Sequence, residues 1–232
     1  MPLNSIAFIP DGNRRFAQKN RISLLEAYRL GTQKAWEVFG WLENYPKIKT
    51  GTFYTLSLEN LQRKKFELNL LYRIFEKELE KVKTSGLFEK NQVRLKFLGR
   101  TELLPKKLQE KIKQAEAFTQ EFKKKTMNLA IGYTGQTEII DAAKKIAEQY
   151  RQGNLELEKI TTDSFKKFLY ADFPNPDMII RTSGTKRLSG FLMYQSAYSE
   201  LYFMEKYWPE IKEADLDNAI AEFDSRQRKF GK

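Results

Sequence analysis

Short apolar runs alternate with long amphipathic stretches along the whole chain, and that alternation leaves few folds open. Residues 5–9, 51–56, 93–98, 127–131 and 178–180 read as strands, with 201–203 as a short sixth. Between them, 31–41, 66–82, 105–122, 137–150, 163–169 and 215–223 have helical spacing. Strands separated by helices of this length need crossover connections. The expected architecture is therefore α/β: an open, mostly parallel six-stranded sheet flanked by helices on both faces. No linker rich in Gly, Ser or Pro divides the 232 residues and no period suggests repeats, so one domain over 1–232 is expected. Arg151-Gln152-Gly153-Asn154 reads as a helix end, and Pro174-Asn175-Pro176-Asp177 as a tight lead into the next strand.

In open parallel sheets, ligands bind beyond the carboxyl ends of the strands. That rule puts 11–15, 57–63, 132–135 and 181–189 on one rim. The first segment is Ile9-Pro10-Asp11-Gly12-Asn13-Arg14-Arg15, a carboxylate beside two guanidiniums. Such a group can hold a metal ion and the phosphates it bridges. Taken alone, Asp11-Gly12-Asn13 fits an ordinary turn equally well. Arg181 follows the apolar Ile179-Ile180, where a guanidinium needs an anionic partner to offset its desolvation. Glu200 precedes Leu201-Tyr202-Phe203, and the same reasoning asks for a cation beside it, either Arg181 or a metal. Ser57 reads either as a helix cap or as part of the rim, and Arg63 either as surface or as a residue folding over a rim ligand.

The charge of +11, from 41 basic and 30 acidic residues, favours anionic partners: nucleic acid, a membrane surface or phosphorylated small molecules. The absence of Cys and His excludes thiolate or imidazole zinc sites and histidine-based nucleophile systems. A metal would sit on oxygen ligands, which suits Mg²⁺. Neither a dinucleotide glycine motif nor a Walker sequence occurs. A nucleic-acid-binding domain is the competing class, and no recognised binding motif supports it. No stretch reaches the roughly 20 apolar residues that span a bilayer, and the start Met1-Pro2-Leu3-Asn4 does not resemble a signal peptide, so a cytoplasmic protein is expected.

These segments resemble, in order and over nearly the whole chain, the motifs of the cis-prenyltransferases typified by undecaprenyl and dehydrodolichyl diphosphate synthases. The matching blocks are Phe8 to Ala17, Tyr54 to Arg63, Asn128 to Gly135, Asp177 through Arg181-Thr182-Ser183-Gly184 and Arg187-Leu188-Ser189 to Glu200-Leu201-Tyr202-Phe203, and Arg226 to Gly231. The resemblance implies a Mg²⁺-dependent enzyme that condenses isopentenyl diphosphate with an allylic prenyl diphosphate, forming cis double bonds and a polyprenyl diphosphate for a lipid glycan carrier. It implies that Asp11 binds Mg²⁺ and that Gly12, Asn13 and Arg15 hold the allylic diphosphate. Arg181, Arg187 and Ser189 would hold isopentenyl diphosphate, and Glu200 would complete the metal site, on the partner's side of a shared interface. Asn60, as a catalytic residue, with Ser57, Glu59 and Arg63 would position the reacting groups and close the site. Arg226 and Arg228 would serve as interface or clamp residues of a homodimer, a heteromer being the other option. Transient contact with the inner membrane face is implied, and an elongated hydrophobic tunnel is expected, with walls from 66–82 and from the helix near Gly31.

The chain departs from the family pattern at several positions. Arg14 stands for a glycine, Leu24 for an arginine, Tyr28 for a histidine, and Ser183 and Thr185 for the Gly and Glu of Arg-Thr-Gly-Gly-Glu. Arg14 and Tyr28 thus fall in the expected allylic-diphosphate site, and the changes leave open a single-condensation enzyme or one with an unusual acceptor.

Overall fold

A computed structural model describes residues 2–171 and 173–226. Six strands are present: β1 (Ser5–Ile9), β2 (Thr50–Ser57), β3 (Val93–Leu98), β4 (Lys125–Tyr133), β5 (Met178–Arg181) and β6 (Glu200–Phe203). They form one sheet in the order β3-β4-β2-β1-β5-β6, and every neighbouring pair is parallel. The expected sheet is therefore present and wholly parallel.

Eight α-helices are described: α1 (Asn13–Asn20), α2 (Leu24–Trp41), α3 (Lys65–Thr84), α4 (Leu87–Lys90), α5 (Lys106–Thr119), α6 (Gly135–Arg151), α7 (Thr162–Lys166) and α8 (Glu213–Ser225). Their starts follow local chemistry. Ser23 accepts from the Glu26 amide to cap α2, and Thr161 and Ser164 form a reciprocal capping box on α7. On α5 the buried side chains Leu108, Ile112, Ala115 and Thr119 recur at helical spacing.

Alternation along β1 divides the core. Ile6 and Phe8 enter a large cluster with residues of α2, α3, α5 and α8, whereas Ala7 and Ile9 face a smaller one with Tyr133, Ile179, Phe191 and Leu192. Both faces of the sheet are thus covered, as an all-parallel sheet requires. Phe8 stacks on Phe53 at 4.9 Å between ring centroids, and Trp208 closes over both. The Pro174-to-Asp177 turn fixes β5 beside β1, because the Asp177 carboxylate accepts from the Asn4 and Ser5 amides at 2.8 and 3.0 Å. No described helix is long and apolar enough to cross a membrane.

Candidate active site

The carboxyl ends of β1 and β5 are neighbours, with Ile9 paired to Arg181. The residues just beyond them therefore meet. Arg181 is 5% exposed and donates from Nη2 to Asp11 Oδ2 at 2.7 Å and from Nη1 to Ser189 Oγ at 2.7 Å. Its Nε is buried without a protein partner. Thr182 ties the two loops together, accepting from the Asp11 amide at 2.9 Å and donating to the Asp11 carbonyl at 2.8 Å. Gly12 takes φ 102°, which lets the chain turn from β1 into α1, and its amide donates to Asp11 Oδ1 at 2.6 Å. Burial alone would raise the Asp11 carboxyl. Hydrogen bonding to Arg181 and its charge, joined by Ser183 and Arg15, outweigh burial and hold it below the ordinary aspartate value.

Arg15 lies one turn into α1. It donates to Ser183 Oγ at 2.6 Å and to the Ser183 carbonyl at 3.2 Å, and its guanidinium sits 5.5 Å from the centre of the Tyr207 ring. Arg187 is exposed and donates from Nε to Ser189 Oγ at 3.3 Å. Arg14 is exposed at the same mouth. Asn13 fits against α2 so closely that a Cβ on Gly31 would lie 2.2 Å from its Oδ1, an atom that is buried without a partner.

A second cluster faces the first. A 3₁₀ turn at Glu59–Gln62 follows β2, and Ser57 Oγ accepts from the Asn60 amide at 3.1 Å. Arg63 donates from Nε to Asn60 Oδ1 at 2.8 Å and from Nη1 to Glu67 Oε1 at 3.0 Å. Tyr28 donates its hydroxyl to the same buried Glu67. Burial first, then the bond to Glu67, pushes the Tyr28 phenol up to about 12. Glu67 has no separate mark in the sequence except its position four residues after Arg63, the spacing of a helical ion pair.

Both clusters open into one cavity of about 870 Å³. Its lining includes the expected Asp11, Gly12, Asn13, Arg14, Arg15, Tyr28, Ser57, Glu59, Asn60, Arg63, Arg181, Arg187 and Ser189. Deeper in, the walls turn apolar with Ala35 and Trp36 of α2, Leu71, Phe75 and Leu79 of α3, and Leu129 and Ile131 of β4. The expectation that 66–82 and the Gly31 region form walls holds for these residues. Of 66–82, only Leu71, Phe75, Glu78 and Leu79 line the cavity, and Phe66 points to solvent, 70% exposed.

Within the chain, Glu200 does not meet the expected Arg181. Glu200 opens β6 and pairs with Met178 at the amino end of β5, whereas Arg181 closes β5. Glu200 therefore lies away from Asp11 within the chain and takes Arg226 as its cation at 2.7 Å. Arg226 also reaches Glu222. Arg228 lies outside the described residues. Among the described residues, no group of three or more acidic side chains is arranged to hold a metal ion. A lone Asp11 in a guanidinium cluster fits a Mg²⁺ that brings most of its ligands from phosphate oxygens and water.

A buried arginine and a carboxylate at the mouth, with an apolar chamber beneath, suit a ligand that has an anionic head and an apolar tail. Residues 9–231 match the family model described as putative undecaprenyl diphosphate synthase. The chain is 42% identical to the tritrans,polycis-undecaprenyl-diphosphate synthase (geranylgeranyl-diphosphate specific) of Methanopyrus kandleri, over 98% of this chain and 84% of that one. It is 43% identical to the same-named protein of Methanocaldococcus jannaschii, over 98% and 82%. The crystal structure of lavandulyl diphosphate synthase from Lavandula x intermedia with dimethylallyl diphosphate superposes with a TM-score of 0.94 at 33% identity, covering 99% of this chain and 98% of that one. That of a probable undecaprenyl diphosphate synthase from Campylobacter jejuni gives 0.81 at 30% identity, with both chains fully covered. The chain belongs to the undecaprenyl diphosphate synthase family. It is a cis-prenyltransferase, a transferase that condenses isopentenyl diphosphate with allylic diphosphates.

Proposed function

We propose that this enzyme, with Mg²⁺, extends geranylgeranyl diphosphate by repeated cis condensations to a polyprenyl diphosphate for a lipid glycan carrier. The continuity of one cavity from Asp11 and Arg181 to Leu71, Phe75 and Ile131 carries this reading. A growing chain gains about 0.8 kcal/mol for each methylene it buries there, while its charged head stays at the mouth. The primer assignment rests on the relatives named for geranylgeranyl diphosphate.

In the reaction the allylic carbon–oxygen bond breaks with its electron pair leaving on the diphosphate. The double bond of isopentenyl diphosphate attacks the allylic carbon, and a proton passes from the resulting cation to a diphosphate oxygen to give the new double bond. Gly12, Asn13, Arg14 and Arg15 hold the allylic diphosphate at the start of α1, where unpaired helix amides add to the guanidinium charge, and Tyr28 borders it. Arg181, through its free Nε, holds the second diphosphate with Arg187 and Ser189. Asn60 gives its Oδ1 to Arg63, which leaves its NH₂ to orient a substrate oxygen, and Ser57 and Glu59 complete that edge of the cavity. Asp11 would hold a Mg²⁺ ion, which would supply positive charge to offset that developing on the departing diphosphate. Because these cations act on charge that grows as the bond breaks, they stabilise the transition state more than the ground state.

The enzyme acts as a dimer in this reading, with Glu200 and Arg226 at the shared face. Beside them Leu201, Tyr202 and Phe203 are half-buried on the edge strand of the described sheet. A single-condensation enzyme is the second reading, favoured by the close superposition on lavandulyl diphosphate synthase. Labelled isopentenyl diphosphate supplied with dimethylallyl, farnesyl and geranylgeranyl diphosphates, with and without Mg²⁺, separates the two. Long products from geranylgeranyl diphosphate support the first, and products one unit longer than the primer support the second. No product from any primer overturns both.

A further inference from the structure

The loop from β5 to β6 carries Arg187 and Ser189, and its backbone is strained where it meets the cavity. Ser189 takes φ 51° and Leu192 φ 45°, with Gly190 at 76° between them. Glycine enters this left-handed region freely, but serine and leucine stay there only where the surroundings over-determine the conformation. Ser189 is a residue whose placement matters. Its Oγ accepts from Arg181 Nη1 at 2.7 Å and from Arg187 Nε at 3.3 Å, so its backbone angle sets where both guanidiniums point. The restraint comes largely from β2. Tyr54 shares its hydroxyl hydrogen between the Ser189 carbonyl at 3.3 Å and the Tyr133 carbonyl at 3.1 Å. Its ring stacks on Phe191 at 4.7 Å with the planes 11° apart, and Tyr133 meets Phe191 edge-on. Phe191 and Leu192 are fully buried, and the Gly135 amide donates to the Gly190 carbonyl at 2.7 Å.

A tyrosine packed only for its ring can leave its hydroxyl to water. Tyr54 is half-buried and borders the cavity, yet it turns its hydroxyl onto two carbonyls, one of them in the strained loop. We infer that Tyr54 is a positioning residue for the second diphosphate. It fixes the Ser189 backbone and, through Ser189 Oγ, the directions of Arg181 and Arg187, so that the anion site is formed before its ligand arrives. Such preorganisation lowers the ordering cost of binding and therefore acts on affinity. Tyr54 stands three residues before Ser57 on β2, and one strand thus carries both this restraint and the Ser57–Asn60 edge of the cavity. The inference rests on the reading of Arg181, Arg187 and Ser189 as the isopentenyl diphosphate site.

Calorimetric titration of isopentenyl diphosphate with Mg²⁺ into the protein, without an allylic substrate, tests it. Tyr54→Phe removes the hydroxyl and keeps the stacked ring. Its affinity is expected to fall about three- to tenfold, with the urea unfolding midpoint little changed. Arg187→Gln, which removes an exposed guanidinium, is expected to lose at least tenfold. Because Tyr54 acts through Ser189 Oγ, Ser189→Ala combined with Tyr54→Phe is expected to bind within about twofold of Ser189→Ala alone. Geranylgeranyl diphosphate, titrated separately, is expected to bind Tyr54→Phe as it binds the wild type, which a general loosening of the rim would not allow. Wild-type affinity in Tyr54→Phe beside a loss in Arg187→Gln overturns the role of Tyr54 alone, as do additive losses in the double variant or an equal loss for geranylgeranyl diphosphate. No binding of isopentenyl diphosphate by the wild type, or undiminished binding by Arg187→Gln, overturns the second diphosphate site and this inference with it.

Discussion

Tyr28 and Glu67, 39 residues apart, share a buried hydrogen bond, and the same carboxylate oxygen anchors Arg63. Through Arg63 the carboxylate fixes the orientation of Asn60. Glu67→Gln keeps the shape and removes the charge, so the hydrogen bonds that hold Arg63 weaken. Charged hydrogen bonds contribute roughly 1.5–3 kcal/mol, and kcat is expected to fall about 10- to 100-fold. Tyr28→Phe leaves the Arg63–Glu67 pair intact and should lose less than about tenfold. Steady-state kinetics, with urea unfolding as a control for stability, distinguish the two.

Gly31→Ala tests the close fit of α1 on α2. The new Cβ would lie 2.2 Å from Asn13 Oδ1, so that side chain must move. Alanine inside a helix otherwise favours folding by about 1 kcal/mol. The expected outcome is a KM for the allylic substrate raised at least tenfold, with the KM for isopentenyl diphosphate little changed and stability unchanged or higher. An unchanged allylic KM would remove Asn13 from that site.

Phe97 and Ile112 separate the main cavity from a second one of about 240 Å³ that is lined by Thr101, Gln109, Lys113 and Glu116. Burial pushes the Glu116 carboxyl up, against the pull of its bond from the Phe97 amide at 2.9 Å. Phe97→Ala thins this wall and joins the spaces. Longer products than those of the wild type are expected, read by chromatography of the extracted lipids.

Alkaline stability follows from two buried phenols. Tyr133 is fully buried and pushed upward by desolvation and then by Glu138, and Tyr28 is pushed up to about 12. A tyrosine titrates near 10 in the unfolded chain, so above that pH the unfolded state releases protons that the native state keeps. The contribution is complete below about pH 10 and is lost at roughly 1.4 kcal/mol per pH unit for each phenol above it. Lys125 acts with the opposite sign, since burial against the Leu42, Tyr45 and Ile48 carbonyls lowers it, but Tyr45, Tyr54, Tyr72 and Tyr170 are raised as well, so the phenols outnumber it. Urea unfolding midpoints are expected to hold from neutrality to about pH 10 and to fall beyond. Replacing Tyr28 by Phe should shallow that fall.

The strands and long helices were legible because burial imposes a period on their residues. All five residues of β1 are buried, and α5 repeats its apolar face at i+4 and i+3. Helix α1, Asn-Arg-Arg-Phe-Ala-Gln-Lys-Asn, buries only Ala17 and carries no such period, so its start at the rim is implied by the family resemblance and not by its spacing. The rim residues were legible for a topological reason: a parallel sheet delivers the ends of β1, β2 and β5 to one edge whatever their separation in the chain. Pairings across the fold were not. Nothing local in Glu67 names Tyr28, and nothing in Glu200 names Arg226, so the sequence left Glu200 a choice between Arg181 and a metal. The outward turn of Phe66 was likewise hidden, since a phenylalanine in an apolar stretch suits a wall as well as a rim.

Asp11→Asn tests the account most directly, because it preserves size while removing the charge that pairs with Arg181 and suits a metal ion, and it turns one of the two acceptor oxygens into a donor. Isopentenyl diphosphate incorporation is expected to fall by at least about 10²-fold in protein that remains folded by circular dichroism. Turnover close to that of the wild type, at the same Mg²⁺ concentration, would contradict a reaction centred on that carboxylate.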